Sequence, residues 1–150
     1  MRFTLLTTIV ALGAVACSGE KKADQSQAAD HAGMAAPAGP VVEVKMTGNG
    51  STIAAFDPKT VTIAPGTTLR FINVSGGPHN IAFWGDSIPA GAAAVLTAAM
   101  PNSIDNLSGP FLMQPNEHYD VSFANAPTGT YKGYCVPHLA LGMKLVITVQ

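Results

Sequence analysis

Apolar and polar positions trade places every second residue along much of the chain beyond residue 40. Tyr119, Val121 and Phe123 alternate with Asp120 and Ser122, while Met143, Leu145, Ile147 and Val149 alternate with Lys144, Val146 and Thr148. A period of two puts successive side chains on opposite faces of a sheet, so these runs predict strands with one buried face. Residues 41–46, 60–63, 68–74 and 80–84 read the same way. Turn-forming residues separate the runs at short intervals: Gly48-Asn49-Gly50, Asp57-Pro58, Pro65-Gly66, Gly76-Gly77-Pro78, Pro101-Asn102, Gly109-Pro110, Pro115-Asn116 and Pro127-Thr128-Gly129. Short strands with closely spaced turns predict an all-β domain, a β-sandwich of about seven or eight strands. Residues 90–100 are Ala-rich and allow one short helix. No internal repeat is present.

The first 40 residues follow different rules. Residues 1–16 place Arg2 ahead of an uninterrupted weakly polar and apolar run, shorter than the roughly 20 residues needed to span a bilayer, which reads as a secretory signal. The run ends in Ala14-Val15-Ala16-Cys17, which resembles a bacterial lipobox, with Ala14 where leucine is usual. The expectation is cleavage before Cys17 and a lipid on that cysteine. The same Ala14-Val15-Ala16 suits ordinary signal peptidase, which leaves a soluble exported protein as the alternative. Ser18 in place of an aspartate favours the outer over the inner membrane. Residues 17–40 carry no aromatic residue and are rich in Ala, Gly, Ser and Gln, so they read as a flexible tether. As a free coil such a tether spans on the order of 25–30 Å. His31 and Met34 fall within it and read as solvated linker. The folded domain is expected over residues 41–150, facing the periplasm or the cell surface, where disulfides persist.

Composition narrows the function. With 150 residues, 47% of them hydrophobic and 11% charged, the chain has material for one domain and one core. A formal net charge of −1 lacks the basic footprint of a nucleic-acid binder. The acids are scattered: Glu20, Asp24 and Asp30 in the tether, then Glu43, Asp57, Asp86, Asp105, Glu117 and Asp120. They offer no close carboxylate pair for hydrolytic chemistry and read as solvated surface.

The chemistry is concentrated near the end of the chain. Tyr134-Cys135-Val136-Pro137-His138-Leu139-Ala140-Leu141-Gly142-Met143 supplies a thiolate, an imidazole three residues on and a thioether five residues further. His79, in Pro78-His79-Asn80-Ile81, supplies a second imidazole. Singly, each has an ordinary reading: Met143 shares the face of Leu145 and Ile147, and His79 suits a turn. Jointly they form the two-His, one-Cys set with a weak axial Met that holds blue copper. Soft sulfur suits Cu(I), and imidazole suits both oxidation states.

At these residues the chain resembles a plastocyanin-like member of the cupredoxin, or blue copper, family over residues 41–150. Phe56-Asp57-Pro58, Val61-Thr62-Ile63-Ala64-Pro65-Gly66, Phe71-Ile72-Asn73, Ile88-Pro89-Ala90-Gly91 and Gly129-Thr130-Tyr131 add to the likeness. The resemblance implies a Greek-key β-sandwich with one type 1 copper at one end, held by His79, Cys135, His138 and Met143. It implies that His138 is the more exposed histidine and that Asn80 ties the two ligand loops together. It further implies a tyrosine corner at Tyr131 and partner docking at Tyr134 and on the apolar rim of Pro137, Leu139 and Leu141. Two departures stand out. Trp84 occupies the family's usual acidic stretch, leaving only Asp86 there, and Ile53 or Ala54 replaces a leucine beside the exposed histidine. His118 lies on a strand and is read as solvent-facing or packed at an edge.

The expected function is a small, monomeric electron carrier of the bacterial envelope. One copper would cycle between Cu(I) and Cu(II) while the protein passes electrons between a donor and an acceptor the sequence does not identify. Four protein ligands leave no open position for a substrate, so no enzymatic activity is expected. The alternative, a protein that buffers or delivers copper, calls for Met- or His-rich runs and an open site, and the sequence has neither. A third reading, an accessory domain of a copper enzyme, calls for a second metal cluster, which is also absent from the sequence.

Overall fold

In the computed structural model, Pro37 and residues 39–150 are described. The signal, Cys17, His31 and Met34 lie outside the described residues.

Among the described residues, eight strands form two four-stranded mixed sheets, with one α-helix outside them. The elements are β1 (Val41–Gly48), β2 (Ala54–Asp57), β3 (Thr60–Ile63), β4 (Thr68–Asn73), β5 (Ala82–Phe83), α1 (Ala92–Ala99), β6 (His118–Ser122), β7 (Gly129–Tyr134) and β8 (Lys144–Val149). One sheet runs β2-β1-β4-β6 and the other β3-β8-β7-β5. β1 pairs antiparallel with β2 and parallel with β4, and β3 pairs parallel with β8. Chain neighbours are thus split between sheets, the crossed connectivity of a Greek-key sandwich.

Alternation builds the core. Val44, Met46, Leu69, Phe71 and Val121 point inward from the first sheet, and Val61, Ile63, Tyr131, Leu145, Ile147 and Val149 from the second. Phe123, just past β6, meets Tyr131 edge to face at 5.4 Å across the gap, and the Tyr131 hydroxyl donates to Pro127 O at 2.5 Å. That is the local tie expected of a tyrosine corner. α1 buries Ala92 and Leu96, one turn apart, against the core and exposes Ala93, Ala94 and Thr97.

The differences from the sequence reading have local causes. β2 escaped notice because Ala54-Ala55 has weak strand preference; pairing with β1 makes it a strand. β5 keeps two residues of the expected five, because His79, Asn80 and Ile81 pair outside a regular ladder. The His79 N–H donates to Leu112 O at 3.1 Å, and the Gly109 N–H donates to Ile81 O at 2.9 Å. Asp120, read as solvated, is buried: Arg70 in β4 grips it with Nε at 2.9 Å and Nη2 at 2.8 Å. Glu117 also has a structural task, its carboxylate accepting the N–H groups of Met113 and Gln114. His118 is half-buried on the edge strand β6.

Candidate metal centre

The site forms where β4, β7 and β8 meet the loops at one pole of the sandwich. β7 ends at Tyr134, so Cys135 is the first residue past the ladder. The next residues turn tightly. His138 N–H donates to Cys135 O, Leu141 N–H to His138 O, and Gly142 N–H to Leu139 O, with Gly142 at φ +78° closing the single 3₁₀ turn Leu139–Leu141. Met143 then enters β8 doubly tied: Cys135 N–H donates to Met143 O at 3.1 Å, and Met143 N–H donates to His138 O at 3.2 Å. This weave fixes three chemistry-bearing residues within one short loop.

His79 arrives from the other side. Its ring lies 4.7 Å from that of His138, centroid to centroid. Cys135 Sγ sits 3.7 Å from His79 Nδ1 and 3.5 Å from His138 Nδ1. All three donor atoms lie within 4.8 Å of one another. His79 and Cys135 are fully buried, His138 is 7% exposed, and Met143 is fully buried. The greater exposure of His138 agrees with the sequence reading.

The geometry fits a metal ion. With zinc-like bonds of about 2.0 Å to nitrogen and about 2.3 Å to thiolate, a trigonal ion would set sulfur and nitrogen about 3.7 Å apart. Both observed separations match that value closely. The tautomer fits as well. His79 Nε2 is 2.9 Å from Ser75 O; a carbonyl only accepts, so Nε2 carries the proton and Nδ1 presents its lone pair to the centre.

Electrostatics hold the metal-free site neutral. Burial lowers the His79 pKa, opposed by the Ser75 hydrogen bond and reinforced by the neighbouring His138; burial also lowers that of His138. Burial pushes the Cys135 thiol up, with the N–H groups of Asn80 and His138 pulling it partly back. A cation supplies the charge that this pocket withholds, so metal binding and thiol deprotonation go together.

Asn80 braces both ligand loops. Its backbone N–H points at Cys135 Sγ at 3.5 Å, its Oδ1 accepts the Val136 N–H at 2.9 Å, and its Nδ2 donates to Ser108 Oγ and Gly109 O, each at 3.1 Å. The sequence reading overlooked three supports. Asn73 Nδ2 donates to Leu112 O at 3.0 Å, and Leu112 exchanges backbone hydrogen bonds with His79; Ser108 and Ser75 O complete the set. A buried-polar signal was available at Asn73, a polar residue on the inward face that Leu69 and Phe71 occupy along β4. The backbone acceptors left none.

Around this pole Pro137, Leu139 and Leu141 are exposed, and Ile53 is 65% exposed while Ala54 is buried. Ile53 is therefore the surface residue of that pair. Tyr134 is half-buried beneath Trp84, their rings stacked at 4.4 Å and 25°.

A buried cysteine between two histidines at one pole of a two-sheet Greek-key sandwich defines a cupredoxin with one type 1 copper site. Comparison with known proteins agrees. The family model for copper binding proteins of the plastocyanin/azurin family matches residues 42–150. Plastocyanin of Scenedesmus fuscus is 40% identical over 109 residues, 73% of this chain and 99% of the relative. Chloroplastic plastocyanin of Physcomitrium patens is 40% identical over 107 residues, 71% of this chain and 56% of the relative's length. The oxidised plastocyanin of Dryopteris crassirhizoma superposes with a TM-score of 0.56 at 30% identity, covering 73% of this chain and all of that one. The chain belongs to the plastocyanin/azurin family of copper-binding proteins, whose chemistry is copper-based electron transfer.

Proposed function

We propose that this protein is a one-electron carrier of the bacterial cell envelope, anchored through a lipid on Cys17 and working as a monomer between two redox proteins. The observation that carries the reading is the placement of Cys135 Sγ 3.5 Å and 3.7 Å from two imidazole nitrogens in a buried pocket. Copper, when bound, supplies exchange of one electron between Cu(I) and Cu(II). The chain supplies the rest: His79, Cys135 and His138 hold the ion, with Met143 as the weak fourth ligand. Hydrogen bonds from Asn80 and to Ser75 O fix the donors, so little can reorganise when the charge changes. Burial of Cys135 and Met143 keeps water from the sulfur ligands. The His138 edge, rimmed by Pro137, Leu139 and Leu141, suits a brief apolar contact with a partner, and Tyr134 offers a flanking contact. With His79, Cys135, His138 and Met143 all taken up as ligands, the ion would have no open position for a substrate, which is the reason for reading a carrier.

The test is the visible and EPR spectrum of the Cu(II)-loaded protein beside Cys135→Ser. An intense thiolate-to-copper band with narrow copper hyperfine splitting, both lost in the variant, is expected. Weak absorption with ordinary tetragonal copper signals would overturn the carrier reading in favour of copper buffering or delivery.

A further inference from the structure

The outer face of the second sheet carries a feature that the copper centre does not use. Alternation along β7 puts Lys132 and Tyr134 on the outer side, between the buried Tyr131, Gly133 and Cys135. β8 aligns Lys144 with Tyr134. Trp84, just past β5, pairs through its N–H with Lys132 O, stacks on Tyr134, and has Lys144 Nζ 5.9 Å from its ring centroid. Lys144 thus lies against a half-buried aromatic pair whose tyrosine is peptide-bonded to Cys135, and the exposed Lys132 shares the same outward face two residues before that tyrosine. The remaining outward strand positions of this sheet, Thr60, Thr62, Thr130, Val146 and Thr148, carry no acid, and Lys59 adjoins the same edge, its carbonyl accepting the Val146 N–H. Among the described residues the acids lie elsewhere: Glu43, Asp57 and Asp120 with the other sheet, Asp105 and Glu117 in the long connection. Asp86, at the rim, is the exception.

We propose that this face, centred on Trp84, Tyr134, Lys132 and Lys144, docks an acidic redox protein, a reading that rests on the electron-carrier function and names the chemistry of one partner. Charge complementarity argues for the occupant. Lysines at the margin steer an anionic surface in, and the stacked aromatics supply the flat, rigid contact found at interface centres. The redox step is simple: one electron leaves the partner's reduced centre and converts Cu(II) to Cu(I), with no bond made or broken and no proton moved.

A plant-type ferredoxin, a small acidic iron–sulfur protein, is a suitable probe, with the basic haem protein cytochrome c as its opposite. Adding oxidised ferredoxin to the isotope-labelled Cu(I) protein is expected to shift the Trp84 indole and the amides of Lys132, Tyr134 and Lys144, and about 1 M salt, where the Debye length falls to about 3 Å, should erase the shifts. In stopped flow, reduction of the Cu(II) protein by reduced ferredoxin should slow about ten-fold or more in Lys132→Glu/Lys144→Glu, while Lys45→Glu on the opposite sheet has little effect and cytochrome c is favoured rather than disfavoured by the double variant. Shifts confined to residues 137–142, equal effects of Lys45→Glu and Lys144→Glu, or lysine-dependent binding to anionic phosphatidylglycerol vesicles with none to ferredoxin would each overturn the proposal. Failure of the carrier reading looks different: the Cu(II) protein would lack the thiolate band and resist reduction by ascorbate, whatever the binding shifts report.

Discussion

The backbone N–H of Asn80 donates to Cys135 Sγ across 3.5 Å, so the residue that follows His79 in sequence hydrogen-bonds the cysteine sulfur in space. The Asn80 side chain then reaches past the sulfur to the Val136 N–H and back to Ser108 and Gly109. Replacing Asn80 with Ala leaves buried partners without hydrogen bonds, at about 1–3 kcal/mol each before relaxation. Asn80→Ala is therefore expected to bind copper with a shifted reduction potential and a lower urea midpoint. Cyclic voltammetry and urea titration check both, and an unchanged potential would mean that the bracing does not reach the metal.

Acid should weaken the metal-free protein. Burial lowers the His79 and His138 pKa values below the ordinary 6.5, so as pH falls the unfolded chain takes up protons before the folded one does. The stability these two groups contribute is present above pH 6.5 and is lost as pH falls from there through the lowered values. Urea unfolding of the metal-free protein at about pH 8 and about pH 5 should show the lower midpoint at the acid end, while copper, by occupying both Nδ1 atoms, should move the loss to lower pH. A flat profile without metal would count against the buried neutral imidazoles.

How much of this was legible beforehand depends on which forces wrote it. Strands such as β8 announce themselves because burial imposes a period of two on Leu145, Ile147 and Val149. The cluster of His79, Cys135 and His138 was legible because its side-chain types are rare in combination and two of the three lie three residues apart. β2 was hidden, since Ala54-Ala55 makes a strand only in the presence of β1. Asp120 was misread because its partner Arg70 lies 50 residues away, and only the β4·β6 register, Arg70 opposite Asp120, brings them together. Ser75 supports His79 through its backbone carbonyl, which every residue has and no sequence pattern marks, whereas Asn73 acts through its side-chain amide on the Leu112 carbonyl, a partner 39 residues away. The stacking of Trp84 on Tyr134 likewise needs the β5·β7 pairing before it can be seen.

Alkali tests the core from another side. Tyr119 is buried, its hydroxyl donating to Pro101 O at 2.8 Å, and burial pushes its pKa up to about 12, opposed by a hydrogen bond with Ser103. The unfolded chain ionises first, near pH 10, so this contribution is present below about pH 10 and is lost as pH rises toward about 12; a shift of about two units corresponds to about 2–3 kcal/mol. Tyr119→Phe should therefore lose less stability than the parent between about pH 9 and pH 11.5. Tyr131, also raised by burial, is common to both proteins and drops out of the difference. Equal losses would show that Tyr119 does not ionise on unfolding in that range.

Met143 separates a ligand from a core residue. It is fully buried beside both Cys135 and His138, tied to each through its backbone, and those ties survive any change of side chain. Met143→Gln presents a harder oxygen where the thioether stood, which favours Cu(II) over Cu(I). Copper should stay bound, the reduction potential should fall, and the visible band should shift. A variant with unchanged spectrum and potential would make Met143 packing alone.

The support behind His79 can be tested at a glycine. A Cβ on Gly77 would stand 2.7 Å from Asn73 Nδ2 and 3.2 Å from Leu112 O, wedged between the two atoms whose 3.0 Å hydrogen bond steadies the segment paired with His79. Gly77→Ala should therefore cost about 1–3 kcal/mol of stability and alter the copper hyperfine splitting, because the push is passed to a ligand. Asn73→Ala removes the obstructed amide, so the two changes share one cause. In the double variant the second substitution should cost much less than it does alone, a coupling of at least about 0.5 kcal/mol. Strict additivity, or a Gly77→Ala protein with the parent's EPR spectrum, would show that Asn73 steadies the fold without positioning the metal ligand.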